Sequence, residues 1–263
     1  MKNGWAIHGN LIQAESVSKL EILSAGKNID HPFLACGQRN TKEDSKMVFK
    51  YRILLETYPL FISGTLVTIK YSILAILLAI VWGIIIGSIN FSKNRRIGLI
   101  TKSYVIFFRE TPLLVQLYFL FYGLSRFFPI PAGICGVIGL VLNDGAFIAE
   151  IIRGGLQSID KRQTEASYAL GFSNFQTLIY FLIPQAVQKT HDSIMNIVAV
   201  IIKDTSLLMW ITILELTHQT QQVNIKKFEP VTAFVTGAII YFALFSFVQI
   251  INKIYRKGLT KHI

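Results

Sequence analysis

The sequence contains no G-x-x-x-x-G-K-[ST] phosphate loop, so the chain does not hold ATP in that way. It has no G-x-S-x-G nucleophile elbow. Its histidines, His8, His31, His191, His218 and His262, form no H-x-x-x-H or similar metal-ligand pattern. Cysteine is scarce: Cys36 and Cys135 share no metal-ligand spacing, and neither adjoins a histidine suited to nucleophilic catalysis. Residues 1–46 lack the apolar core of a signal peptide. Cys36 sits in FLACG, but no apolar run precedes it as in a lipoprotein signal. An enzyme would have to rest on scattered carboxylates alone, and no metal or cofactor site of the chain's own is indicated.

What is abundant is apolar sequence. The 263 residues are 52% hydrophobic, and the mean hydropathy is +0.49, too apolar for an ordinary soluble domain of this length. The formal charge is +11. Its basic residues lie beside apolar stretches, where they set orientation and meet anionic lipid head groups, which argues against a nucleic-acid partner.

These features predict an all-α integral membrane protein with five spans, at about residues 61–91, 112–128, 133–152, 193–217 and 231–251. Residues 1–46 are polar and aperiodic, and are expected to be a disordered extension or a start assigned too early. Residues 47–257 form the membrane domain and 258–263 a short tail. Lys93, Arg95, Arg96, Lys102 and Arg109 read as one basic loop. Arg153, Lys161, Arg162 and Lys189 fall in the loop at 153–190, and Lys253, Arg256, Lys257 and Lys261 in the tail. The other side carries only Arg126, Lys226 and Lys227 beside its spans. The positive-inside rule therefore predicts these loops and the tail in the cytoplasm and the N-terminus outside, with Lys50 and Arg52 counting modestly against.

One polar connection has its own architecture: residues 150–185, EIIRGGLQSIDKRQTEASYALGFSNFQTLIYFLIPQ. Asp160 with Gln163 reads as an N-cap and capping-box partner, and Gly171 as the stop of the helix that follows. Ser173 with Gln176 opens a second helix, expected to run until Pro184 interrupts it. The prediction is two capped short helices about a glycine elbow, a stiff protrusion able to plug a groove on another protein.

Glu165-Ala166-Ser167, three residues, Gly171, then Phe181-Leu182-Ile183-Pro184 resembles the EAA loop of ABC-importer permease subunits, with Ser167 for the Ala at the third position of E-A-A. Arg109-Glu110-Thr111-Pro112-Leu113-Leu114-Val115-Gln116 resembles the family's R-G-T-P-L-L-V-Q, with Glu110 in place of Gly. Lys203-Asp204-Thr205-Ser206 resembles the K-D-T-S of its amino-acid permeases, and Glu215-Leu216-Thr217 the E-L-T that follows.

The resemblance, over about residues 47–257, implies the type I, MetI-like importer architecture in a bacterial inner membrane. It implies a permease for a polar amino acid such as histidine, glutamate, glutamine, arginine or an opine. Two copies of an ATP-binding subunit, holding ATP and Mg, would dock on the 160–184 segment through Glu165, Ala166, Ser167, Leu170, Gly171 and Pro184. A second permease subunit, identical or not, and an external solute-binding protein complete the set.

An amino-acid zwitterion needs both signs of charge plus hydrogen-bonding neutrals at bilayer depth. The candidates are Gln116, Asn143, Asp144, Glu150, Lys203, Asp204, Thr205 and Ser206. Glu150 and Arg153, three apart, can instead pair with each other. The rival expectations are the same architecture carrying another small solute, or an ion-driven carrier using Asp144, Glu150 and Asp204.

Overall fold

A computed structural model describes residues 49–91 and 95–259, so the expected extension at 1–46 lies outside the described residues. Those residues are helical, joined by turns. Helix α1 (Tyr51–Phe91) is apolar on all sides. α2 (Arg95–Glu110) is followed by α3 (Leu113–Tyr118), which continues through a π turn and a 3-10 turn to Arg126. Then come α4 (Ala132–Gln157), α5 (Lys161–Ala169) and α6 (Asn174–Thr177). After a π turn (Leu178–Leu182) follow α7 (Ile183–Asp204), a 3-10 turn (Thr205–Ile211), α8 (Leu216–Lys227) and α9 (Pro230–Leu259).

Four helical stretches are long and apolar enough to cross a membrane: Tyr51–Phe91, Ala132–Gln157, Asn174–Ile211 and Pro230–Ile254. The candidate for the fifth span is a bent pair, Arg96–Glu110 with Leu113–Arg126, which passes the same test only when taken together and turns by 105° between its halves. The expected second span, 112–128, is therefore only one half of it. The expected basic loop at 92–110 is largely the other half, helix α2. The break follows from Pro112, which lacks an amide and disfavours the helical region for Thr111 before it.

The fourth span also differs. Pro184 does not end the helix, because the backbone widens into a π turn just ahead of it, where the Ile183 N–H donates to Leu178 O. The expected interruption at Lys203–Ser206 is a tightening into 3-10 geometry rather than a coil. The chain turns only at Thr212, with φ 67°. Glu215-Leu216-Thr217 opens the separate helix α8.

The bundle is organised by a stripe of small residues on α1. Gly64, Thr68, Ser72, Ala75, Ala79, Gly83 and Gly87 are all buried, at the three- and four-residue spacing that lets helices approach closely in a membrane. α4 packs along it in parallel. A Cβ on Gly83 would come within 2.5 Å of Ile148, and one on Gly87 within 2.5 Å of the Ala149 carbonyl oxygen. Higher on α1, Gly64 lies against Leu216 and Gln219 of α8, and the Leu216 N–H donates to Thr68 Oγ1 at 3.1 Å. α2 is fastened at its side: Trp82 Nε1 donates to Tyr104 Oη (2.8 Å), which donates to the Leu142 carbonyl (2.7 Å). At the end remote from α5, Lys50 pairs with Glu229, and Lys227 with Glu56 at 2.7 Å.

Two glycines separate packing from propensity. Gly87→Ala pushes a methyl against backbone and is expected to destabilise by about 1–3 kcal/mol. Gly98, in α2, has nothing within 4 Å of a Cβ, so Gly98→Ala is expected to stabilise by about 0.5–1 kcal/mol. Thermal unfolding of the detergent-solubilised variants checks the opposite signs.

Candidate functional site: a capped elbow and a mid-depth polar layer

The elbow is built by local chemistry at each joint. Asp160 N-caps α5 through the Arg162 amide (2.9 Å), and the Arg162 guanidinium grips the same carboxylate at 2.6 and 2.9 Å. That guanidinium hydrogen bond, more than the amide, holds the Asp160 carboxyl below its usual value. The expected box with Gln163 is replaced by this clamp; the Gln163 amide donates to the Asp160 carbonyl instead. α5 ends at Gly171, with φ +85°. The Phe172 amide reaches Ser167 O and the Gly171 amide Tyr168 O, the paired bonds of a Schellman cap. Ser173 and Gln176 form the expected capping box.

The two short helices are then tied together. Ser167 Oγ meets Thr177 Oγ1 at 2.9 Å inside the elbow, and Tyr168 Oη donates to Asn174 Oδ1 at 2.5 Å. Phe172 stacks edge-on against Phe181 with centroids 4.9 Å apart. Ser167, where the motif has Ala, is thus a structural bolt. Glu165, Ala166 and Leu170 are exposed; Leu170 is 74% exposed and the nearby Phe175 70%. Pro184 sits on the stem below. Between the elbow and the end of α1, a cavity of about 720 Å³ is lined by Ser88, Phe91, Glu165, Tyr168 and Leu182 among others.

The second constellation lies halfway along the spans. α4 has 26 residues, about 39 Å at 1.5 Å each, and Asn143 and Asp144 are near its middle. α7 runs antiparallel to it: Gly155 meets Ala186 and Thr190, whereas Gly136 meets Leu208, Ile211 and Ile213. This brings Lys203 and Asp204 to the depth of Asn143. Asn143 Nδ2 donates to Phe108 O (2.7 Å) and Gln116 Oε1 (3.2 Å). Gln116 Nε2 lies 3.0 Å from Phe108 O, 3.0 Å from Thr111 O and 2.8 Å from Thr111 Oγ1. The break at Thr111–Pro112 therefore shares that depth, and Gln116 and Asn143 serve its open carbonyls.

Asp144 is 1% exposed. Its Oδ2 has no hydrogen-bond partner among the described residues, and the charge it senses is Asp204. Glu150 lies nearer the elbow, fastened to Arg153 at 2.5 and 2.9 Å. The Lys203 ammonium sits 4.5 Å from the centre of the Phe245 ring. Lys203 and Ser206 line a cavity of about 360 Å³ with Thr217, Thr220, Phe234 and Tyr241. Thr205 is turned inward onto the Ile202 carbonyl.

Sequence reasoning noted Glu215 as part of the E-L-T match but gave it no role. Fully buried, it accepts from the Thr217 and His218 amides (2.7 and 2.8 Å) and from Tyr241 Oη (2.8 Å), fixing α8 to α9 beside that cavity. The spacing Glu-x-Thr-His ahead of a helical run was the available signal for this cap.

Comparison with known proteins gives concordant results. A protein of Rickettsia typhi named for a glutamine transport system permease, GlnP, is 33% identical over 211 residues, covering 78% of this chain and 97% of that one. The nopaline transport system permease NocM of Agrobacterium fabrum is 31% identical over 201 residues, 72% of this chain and 83% of its own. An amino acid ABC transporter crystallised with histidines superposes with a TM-score of 0.72 at 31% identity, covering 80% of this chain and 99% of the other. The MetNI methionine ABC transporter in an inward-facing form gives 0.64 at 16% identity and shares the fold. Residues 75–261 match the family described as binding-protein-dependent transport system inner membrane component, and the chain is a member of that family of ABC-importer permeases.

Proposed function

We propose that the chain is the permease through which a polar amino acid enters the cell. The observation that carries this reading is the elbow: two helices, the first capped at both ends and the second at its start, bolted to each other by Ser167 and Thr177, with Glu165, Ala166 and Leu170 exposed. A stiff element of that kind transmits a rigid-body motion, where a slack loop would absorb it. As a permease of its family the chain is not itself an enzyme and works with an ATPase and a solute-binding protein. On this reading two ATPase subunits seat the elbows of two permeases, identical or sister chains, and hold the ATP and Mg. The relatives named for glutamine, nopaline and amino acids support a polar amino acid as the solute.

The positive-inside count supports the elbow and C-terminus facing the cytoplasm and the N-terminus outside. Arg109 leaves that count, since it lies at the mid-depth break; Arg96 and Lys102 on α2 remain nearer the elbow end. Lys203, Asp204 and Ser206, with Asp144 behind them, are the candidate lining of the path. Gln116 and Asn143 border it as supports of the bend, and Glu150 enters it only as a pair with Arg153. The same architecture carrying a different small solute is the nearest alternative.

The tagged chain, purified in mild detergent, is expected to bring an ATPase subunit with it, and uptake of a labelled amino acid into cells is expected to stop when that ATPase is deleted. Uptake that persists without the ATPase and dies with an uncoupler contradicts the reading. At the elbow, Gly171→Glu forces a side chain into a left-handed position on the docking face. It is expected to leave the protein in the membrane while transport falls by roughly tenfold or more. Wild-type transport by that variant removes the elbow from the coupling mechanism.

A further inference from the structure

The break in the second span places a charge at mid-depth that the bundle does not neutralise. α2 ends at Glu110, at the depth where Gln116 and Asn143 hold the Phe108 and Thr111 carbonyls. Both Arg109 and Glu110 are exposed on the single chain. Arg109 has company: its guanidinium lies 5.2 Å from the centre of the Phe147 ring, and it is close enough to Glu150 to act on that carboxylate. Glu110 has no ion pair among the described residues.

A carboxylate halfway through a bilayer is costly against hydrocarbon, so it must face a wet path or a partner. Irregular backbone at that depth is likewise tolerated only inside protein or along a water-filled cavity. Gln116 and Asn143 are committed to the carbonyls of the break, whereas the Glu110 side chain is exposed. Its neighbour Thr111 meets Gln116, Gln116 meets Asn143, and Asp144 and Asp204 of the candidate path lie at the same depth.

Resting on the transport reading above, we propose that Glu110 is a substrate-contacting residue, a carboxylate on the broken second span that receives the α-ammonium of the amino acid in transit. A lone carboxylate at this depth is completed by a cation arriving from outside the fold. Every amino acid supplies one at a fixed distance from its own carboxylate, which suits the nearby Arg109 as the opposite pole. Glu110 occupies the position where the motif it resembles has glycine, so this contact distinguishes the chain within its own pattern.

The test uses the purified permease–ATPase complex without the binding protein, so that affinity for the permease itself is read. Labelled arginine, histidine and glutamine are the probes, with the matching 2-hydroxy acids, which lack the ammonium, as competitors. Glu110→Gln is expected to keep the subunits together. It should weaken binding of every amino acid that the wild type binds by about tenfold or more, the scale of one charge-assisted hydrogen bond. Glu110→Asp is expected to recover most of the loss, and the hydroxy acids to compete poorly with the wild type. Unchanged affinity in Glu110→Gln beside normal wild-type binding overturns the assignment. So does dissociation of the permease pair in that variant, which would make Glu110 a contact between subunits. A wild-type complex that carries no amino acid at all defeats the transport reading instead.

Discussion

The constraint on which the structure turns is that a backbone opened at bilayer depth must find hydrogen-bond partners in the protein. Pro112 opens the second span by 105°, freeing carbonyls that must be satisfied within the protein or along a water-filled cavity. One glutamine and one asparagine, from the far side of the break and from α4, close the account for Phe108 and Thr111. Without them the sharp turn would be a defect; with them it is a fixed corner that lets α2 and α3 face different neighbours.

Around that corner the bundle is held by close approach rather than by polar bonds. The small residues of α1 admit α4 to near backbone contact, so dispersion is gained along a long seam. Among the described residues, ion pairs cluster toward the ends: Lys50 with Glu229 and Lys227 with Glu56 at one, Arg162 with Asp160 at the other. The middle is left for polar groups bound to backbone, to each other, or to aromatic faces, as Lys203 is to Phe245.

Much of this was legible in the sequence, where local chemistry decides structure. Ser173 with Gln176, and Gly171 as a helix stop, read correctly because a cap is fixed by neighbours two or three residues away. Glu150 and Arg153 were legible as a pair for the same reason. What was not legible depends on distant residues. Arg96, Lys102 and Arg109 made α2 look like a loop; only its packing on Trp82 and Leu142 shows it as half of a span. Gln116 and Asn143 were named only as candidates for the substrate pathway; nothing nearby in sequence says that they also bind carbonyls of the same bend. Pro184 looked like a helix end because a π turn has no sequence signature of its own.

That π turn has a consequence for how the elbow addresses the middle of the membrane. A π turn is an α-helix carrying one surplus residue. The turn takes up that residue, so the helices on either side keep nearly the phase of an uninterrupted α-helix one residue shorter. Straightening Leu178–Leu182 into α geometry with no residue removed would rotate the downstream helix by about 100°. Lys203 and Asp204 would then swing away from their present neighbours while the elbow stayed intact. The widened turn therefore sets the angular phase between the elbow and the part of the chain that lies beside Asp144.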